Sequence, residues 1–406
     1  MFDTGPLKDS RKRIESIARR HGDERIRNAA DRLREPSHRL ERTIDGPAKG
    51  GVGSLEAFRV RFTQGGEPTK GGVRFTSGAD LEEAERLALL MTLKCALIGL
   101  PFGGAKGAVR VDASPLSDEQ KAEIAGNYAR AFKDVIGPDS DVPAPDVATG
   151  AREMAAMADA LDIQPGDGKA PVTGLPADRG GLELRTGATG EGAWRVYARV
   201  APDCGGAQSP RIAVQGFGKG ARGFVEAAVK DGARIVAVAD SRSLARDPDG
   251  ISPDELNDRK SKTGRVGDPA DPLDVLKVDA DVLVLAARSD VIDARRAKKV
   301  AASAIVEIAN APITHKGYEA LEKRNIWTAP DILANAGGVL ASYFEWREHE
   351  DPDNTDPDAV RAEWEQALDR ACDAVLARKR ETNTDLHVAA LLQALDQLDP
   401  KTRPRV

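Results

Sequence analysis

"RIAVQGFGKGARGFVEAAVKDGARIVAVADS", residues 211–241, reads as strand, glycine-rich turn, helix and strand. Between the first strand and the helix stands G-x-G-x-x-A, at Gly216, Gly218 and Ala221. Glycines there allow a tight turn and let the backbone come close to a pyrophosphate, which the helix N-terminus then stabilises. Asp240 closes the second strand, where a carboxylate for an adenosine ribose belongs. A strand–helix turn without a ligand is the plainer reading, and the placing of Asp240 argues against it.

Working outward, "DADVLVLAA" (279–287), "SAIVEIAN" (303–310) and "NIWTAP" (325–330) add three short apolar strands. Strands alternating with helices imply a parallel sheet covered on both faces. The fold class is therefore α/β with two domains: an N-terminal α/β domain over 1–184 and a Rossmann-type doubly wound dinucleotide-binding domain over 185–344. Helices from about 345 to 406 would pack back onto the first domain. Within that first domain, 7–35 reads as one amphipathic helix ended by Pro36, and 57–64 as a half-buried strand. "DLEEAERLALLMTLKCALIGL" (80–100) is a helix capped by Asp80 and stopped by Gly99 and Pro101. "GAVRVD", after Lys106, reads as a strand, and a second capped helix follows from Ser117.

Composition narrows the function. The 406 residues carry a net charge of −6 with the signs interspersed, and aromatics are only 4%, which argues against nucleic acid or an anionic membrane as partner. No run of about 18 apolar residues suggests a membrane span. Three scattered cysteines (Cys95, Cys204, Cys372) have no metal spacing and fit a reduced, cytoplasmic setting. The five histidines form neither a metal motif nor a triad, so no metal is expected.

"LPFGGAKGAV" (100–109) sets Lys106 among small residues, without the Ser or Thr that a Walker loop places after its lysine. Lys70 in "TKGGVRF" and Lys94 in "MTLKCA" lie in the same 37-residue stretch. A lysine held by small residues beside other cations has its charged form disfavoured and can act as a base or polarise a carbonyl. Each lysine alone also reads as a surface residue. Asp146 in "VPAPDVATG" follows two prolines that force extended backbone, so it is either a held carboxylate or the cap of the next helix.

"KGGVRF", "MTLKCALIGLPFGGAKGAV", "PAPDVATG", "TGATGEG", "VQGFGKGARGF", "EIANAPIT" and "PDILANAGGVLASYFEW" stand in one order. Together, from about residue 35 to the C-terminus, they resemble the glutamate dehydrogenases within the wider amino acid dehydrogenase family. The resemblance implies reversible oxidative deamination of L-glutamate to 2-oxoglutarate and ammonia with NAD or NADP, in a homohexamer whose first domain binds substrate and oligomerises. It implies that Lys106 activates water and polarises the reacting carbon, and that Asp146 moves protons to and from the amino nitrogen. Lys94 then clamps the α-carboxylate, and Lys70 with Ser342 the side-chain carboxylate. Arg185 and Thr189 match positions near the nicotinamide end, and Asn310 and Asn335 border that ring. Gly216, Phe217, Gly218, Lys219 and Ala221 form the cofactor loop, with Asp240 and Ser241 at the adenosine ribose. Asp240 would repel a 2′-phosphate, which favours NAD, while Ser241, Arg242 and Lys219 are near enough in sequence to bind one.

Four positions depart from the usual pattern: Leu93 where Trp is common, Leu175 where many members have Lys, Leu182 for a small Ser, and Gly187 for an acid. Two rival readings stand beside the glutamate dehydrogenase one, a dehydrogenase of a branched or aromatic amino acid and a catalytically weak regulatory paralogue, the latter kept open by Leu175, Leu182 and Gly187. Lys70 and Ser342 argue against the first, and Lys94, Lys106 and Asp146 against the second.

Overall fold

Gly22 and Asp23 divide the helical stretch expected over 7–35 into α1 (Pro6–His21) and α2 (Glu24–Arg32). Asp23 is extended, and its carboxylate accepts the Ile26 N–H at 2.9 Å, the usual device for starting a helix. The Gly-Asp pair is the signal in the sequence that the expectation of one helix passed over. The computed structural model describes residues 6–162, 168–351 and 355–398, so part of the acidic connector at 348–358 lies outside it.

A five-stranded sheet follows, built from β1 (His38–Ile44), β2 (Leu55–Phe62), β3 (Thr69–Thr76), β4 (Gly103–Arg110) and β5 (Asp141–Pro145), in the order β1-β2-β4-β3-β5. β1 and β4 flank β2 antiparallel, while β4 and β5 flank β3 parallel. Helix α3 (Leu81–Leu97) makes the crossover from β3 to β4. Asp80 caps it through the Glu83 N–H at 2.7 Å, as the sequence predicts. α3 is buried nearly all round, which suits its almost unbroken apolar run. Helices α4 (Asp118–Ala131), opened by a Ser117–Gln120 capping box, and α5 (Ala151–Ala160) cover the sheet.

β4 begins three residues before Lys106 rather than after it, so Lys106 lies inside a strand, opposite Val60. Glycine is the reason. A Cβ on Gly104 would overlap the Thr92 nitrogen and Ala88 carbonyl of α3, and one on Gly71 would overlap the Ala105 carbonyl. Both elements approach β4 backbone to backbone, which a side chain at either position would prevent.

The second sheet has the order β12-β11-β10-β6-β7-β8-β9. Helix α6 (Ala188–Cys204) leads into β6 (Arg211–Gln215), α7 (Lys219–Lys230) and β7 (Arg234–Ala239), matching the 211–241 reading. β8 (Ser243–Arg246), α8 (Pro253–Thr263) and β9 (Asp268–Pro269) form an antiparallel edge that the sequence did not announce. β10 (Val282–Leu285), α9 (Ala294–Ala297), β11 (Ala304–Glu307), α10 (His315–Glu322) and β12 (Trp327–Ala329) extend the parallel part on the other side of β6. Strand order therefore reverses between β6 and β10, and the crevice at their carboxyl ends is where such sheets bind ligands.

Helices α11 (Asp331–Ala334) and α12 (Ala336–Glu348) follow; α12 runs across residue 345, where a boundary was expected. Finally α13 (Pro357–Thr382) packs along α6, and α14 (Leu386–Asp396) reaches back to α2 and α3. Among the described residues, no helix is long and apolar enough to cross a membrane.

Gly104→Ala tests the backbone-close packing of α3 on β4. Overpacking of this kind costs about 1–3 kcal/mol, so thermal denaturation should show a clear drop in Tm; an unchanged Tm would mean that α3 can retreat freely.

Candidate active site

Period-two spacing puts Lys70 and Arg74 on one face of β3. Lys70 is only 1% exposed. Its Nζ donates to Thr173 Oγ1 at 2.5 Å, and Thr173 Oγ1 lies 3.2 Å from Ser342 Oγ on α12. So the two residues expected as one clamp are joined through a third, Thr173, that the sequence did not single out although it stands two residues before Leu175. Among the described residues no carboxylate is bonded to Lys70, and its ammonium lies 6.0 Å from the Phe102 ring centroid. Burial, and after it the Arg185 charge, push Lys70 down to about 7, against the opposing pull of Glu345.

Lys106 forms an ion pair with Asp146. Asp146 stands just after β5, and Arg74 Nε donates to the same carboxylate oxygen, Oδ2, at 2.9 Å. Gly150 is the N-cap of α5, so Asp146 does not cap it; its own N–H donates to Thr149 Oγ1 at 2.8 Å. Burial opposes ionisation of Asp146, but Lys106 and Arg74 outweigh it and hold the carboxyl well below the usual range. Burial pushes Lys106 down to about 8, Asp146 opposes this, and the cations that weigh most on it are Arg74 and Lys94. Lys70, expected to act on Lys106, belongs instead to the Thr173–Ser342 end. Lys94, also lowered chiefly by burial, donates to Asn310 Oδ1 at 3.2 Å and so links α3 to the second sheet.

At the crevice, Gly216 has φ +98°, a conformation that favours glycine, and a Cβ there would press on Ala287 at 2.8 Å. Gly218 faces open space and caps α7 without a side chain, leaving the first N–H groups of α7 and the exposed Lys219 to an anion. Ala221 is 1% exposed, as close helix–sheet packing needs, and Phe217 is buried with the Arg222 guanidinium 5.3 Å from its ring centroid. Gln215 Oε1 and Asn335 Oδ1 are buried with no partner among the described residues, while Asn335 Nδ2 donates to Ile308 O at 2.9 Å and to Asn310 Oδ1 at 3.1 Å. These orphaned acceptors and uncapped donors fit a dinucleotide. Thr189, in the first turn of α6, fills the space that a side chain at Gly338 would need.

Asp240 is more engaged than expected. Oδ1 accepts from Arg242 N–H at 3.0 Å and Ser243 Oγ at 2.8 Å, and Oδ2 from Lys260 Nζ at 2.6 Å and Val266 N–H at 3.2 Å. Despite burial, these donors, Lys260 first, lower it to about 2. Ser241 and the Arg242 side chain are exposed beside it. Arg185 Nη1 donates to Glu345 Oε2 at 2.9 Å, and Glu345 Oε1 accepts from the Gly174 and Leu175 N–H groups at 2.7 and 2.9 Å. Arg74, Glu345 and Lys260 were thus missed; only Arg74 carried a sequence signal, its spacing from Lys70.

Two family models match the chain: "Glu/Leu/Phe/Val dehydrogenase, dimerisation domain" over 38–162, and "Glutamate/Leucine/Phenylalanine/Valine dehydrogenase" over 180–404. The chain is 37% identical to a glutamate dehydrogenase of Thermotoga maritima over 93% of its own length and 92% of the relative's. It is 34% identical to an NADP-specific glutamate dehydrogenase of Synechocystis sp. (91% of each chain) and 32% to an NAD-specific one of Staphylococcus aureus (92% of each). Among solved structures, the hetero-hexameric glutamate dehydrogenase of Thermus thermophilus in its Leu-bound form superposes with a TM-score of 0.91 at 33% identity, covering 99% of this chain and 98% of that one. Matched by the two family models over both of its sheets, this chain belongs to the Glu/Leu/Phe/Val dehydrogenase family.

Proposed function

We propose that this chain catalyses the reversible oxidative deamination of L-glutamate to 2-oxoglutarate and ammonia, with NAD or NADP. The observation that carries the choice of substrate is the row Lys70–Thr173–Ser342, a buried cation and two hydroxyls with no carboxylate bonded to the cation among the described residues. A carboxylate entering there is repaid for lost water by charge-assisted hydrogen bonds, whereas an apolar side chain would leave all three groups unpaired. The relatives named glutamate dehydrogenases support the same reading.

When bound, the dinucleotide accepts hydride from the α-carbon. The residues of this chain do the rest. Lys94 takes the α-carboxylate and Lys70 with Ser342 the distal one, which fixes the α-carbon between Lys106 and the crevice. Lys106, with a pKa near 8, is partly neutral in mildly alkaline solution and can take a proton from water attacking the α-carbon. Asp146 exchanges protons with the amino nitrogen. Its low pKa reflects two cations, and it becomes more basic when Lys106 is neutral, so the pair titrates as one unit.

At the other end, Arg185 and Thr189 would hold the nicotinamide side of the dinucleotide with Asn310 and Asn335, Gly216 to Ala221 would hold the pyrophosphate, and Asp240 with Ser241 would hold the adenosine ribose. The charge of Asp240 favours the free 2′-hydroxyl of NAD, and Lys260, bonded to it, reduces the repulsion that a 2′-phosphate would meet. We assign substrate binding and oligomerisation to 1–184, the dinucleotide to 185–344 and the returning helices to 345–406. The assembly is a hexamer of identical chains, and the location cytoplasmic, in keeping with cysteines that form no disulfide among the described residues.

The deciding assay compares wild type and a Lys70→Leu/Ser342→Val double variant on glutamate, aspartate, norleucine and leucine at fixed cofactor. Wild type should prefer glutamate over leucine by about 10³-fold or more in kcat/KM, and the double variant should lose most of that preference. A wild type that prefers leucine would exclude the assignment.

Lys106→Ala and Asp146→Asn should each lower kcat by about 10²-fold or more, with glutamate still bound by the Asp146 variant. Near-normal turnover in either removes that residue from its role.

Burial of Lys70 also ties stability to pH. Its pKa falls from 10.5 to about 7 on folding, so between those values the unfolded chain holds more protons and stability rises with pH. Lys70→Met removes this dependence. The variant should therefore gain most in Tm at and below pH 7, with the gain shrinking steadily towards pH 9; a pH-independent difference would show that Lys70 keeps its charge in the native state.

A further inference from the structure

Helix α3 delivers Lys94 to the site, and the same side of the helix meets the second sheet. Arg86 Nη1 and Nη2 donate to Asp290 Oδ2 and Oδ1 at 2.8 and 2.9 Å, a two-pronged pair in which the Arg86 side chain is 7% exposed. Leu87 and Leu90 pack with Ala311 in an apolar cluster of their own. Lys94 then reaches Asn310. Residues 86, 87, 90 and 94 share one side of the helix, so these contacts form a single seam.

The far side of the seam is one structure too. The Asp290 N–H donates to the Ala311 carbonyl at 3.0 Å, and the Ala311 N–H donates to Asp331 Oδ2 at 2.8 Å. Asp290 and Ala311 both have left-handed backbone, with φ +54° and +44°. Alanine adopts that conformation only at a cost, and such strain persists where surrounding contacts hold it. What Arg86 grips is therefore bonded directly to the residue that follows Asn310, and Asn310 is what Lys94 meets.

Resting on the proposed function, we infer that Arg86 and Asp290 form a clasp between the two halves of the molecule that fixes Asn310 against Lys94. Neither residue touches a reacting atom. They are positioning residues: the clasp sets the register between the lysine that holds the α-carboxylate and the asparagine that borders the nicotinamide. A second anchor steadies Arg86, whose Nε donates to Ser10 Oγ on α1 at 3.2 Å. α1 lies outside the residues matched by either family model, so this support belongs to the chain's own N-terminal segment.

The test uses Asp290→Asn, which keeps the shape and sits on a part-exposed loop, with Arg86→Met and Arg86→Lys beside it. Two readouts are needed. Hydrogen exchange on the ligand-free protein should show faster exchange at 290 and 309–311 in Asp290→Asn and Arg86→Met, with Arg86→Lys between them and wild type. Single-turnover hydride transfer should slow by about tenfold or more, since small misplacement of reacting groups is expensive. The isotope effect with 2-deuterated glutamate should rise, and the dinucleotide Kd read by fluorescence should stay unchanged. Unaltered exchange with normal turnover in both Asp290→Asn and Arg86→Met would overturn the clasp, as would a loss of dinucleotide affinity in step with turnover. A wild type inert towards glutamate but active on another amino acid would sink the proposed function alone, and the exchange readout would then decide the clasp by itself.

Discussion

Three lysines are taken out of water in one domain, and the rest of the site is arranged around that cost. Lys70, Lys94 and Lys106 are 1%, 4% and 5% exposed. Burying an ammonium is expensive unless it is paired or becomes neutral. The protein treats the three differently. Lys106 is paired with Asp146, Lys94 donates to an amide oxygen of the other half, and Lys70 donates to the Thr173 hydroxyl, which in turn contacts that of Ser342. The two without a bonded carboxylate are those assigned to the two carboxylates of the substrate. A pocket that is electrostatically incomplete without its ligand discriminates more sharply than one already satisfied.

Such crowding of cations is possible only where backbones replace side chains. Gly71 and Gly104 let β3 and α3 close onto β4, and Gly107 leaves room for the Tyr128 hydroxyl, which in turn donates to the Phe58 carbonyl. Beneath the lysines, Arg59 makes a fully buried two-pronged pair with Asp141 at 2.6 and 2.8 Å and also donates to the Gly71 carbonyl at 3.0 Å. This pair fixes β2 to β3 and β5, the strands that present Lys70 and lead to Asp146. Removing one member would leave an uncompensated buried charge, the costly way to break such a pair.

Much of this was legible in the sequence, and the failures have a pattern. The dinucleotide unit declares itself because its chemistry is local: glycines, helix and Asp240 lie within 211–241. The α3 cap and the lysines are equally local signals. Thr173 and Glu345 were not legible, because each acts across a large separation, joining Lys70 and Arg185 through the fold, while Lys260, only 20 residues from Asp240, stands on α8 of the edge that the sequence did not announce. The β8–β9 edge escaped for another reason: β9 is two residues long, too short to leave a period. The N-terminal helix was misread where a stop and a cap stand side by side.

The four departures from the family pattern can be judged by what they touch. Gly187 has φ +87° at the N-terminus of α6, so an acid there would be strained, and glycine suits the turn this chain makes. Leu93 is fully buried in the core, and Leu182 packs against it from the edge. Leu175 is buried, and it is its backbone N–H, not its side chain, that binds Glu345. None of the four side chains enters the Lys106–Asp146–Arg74 group or the Lys70–Thr173–Ser342 row. A purely regulatory role gives no account of three desolvated lysines, each of which burial drives towards its neutral form. Their retention, with Arg74 holding Asp146 ionised beside Lys106, is explained by a reaction that needs a cationic pocket and a proton passed within it.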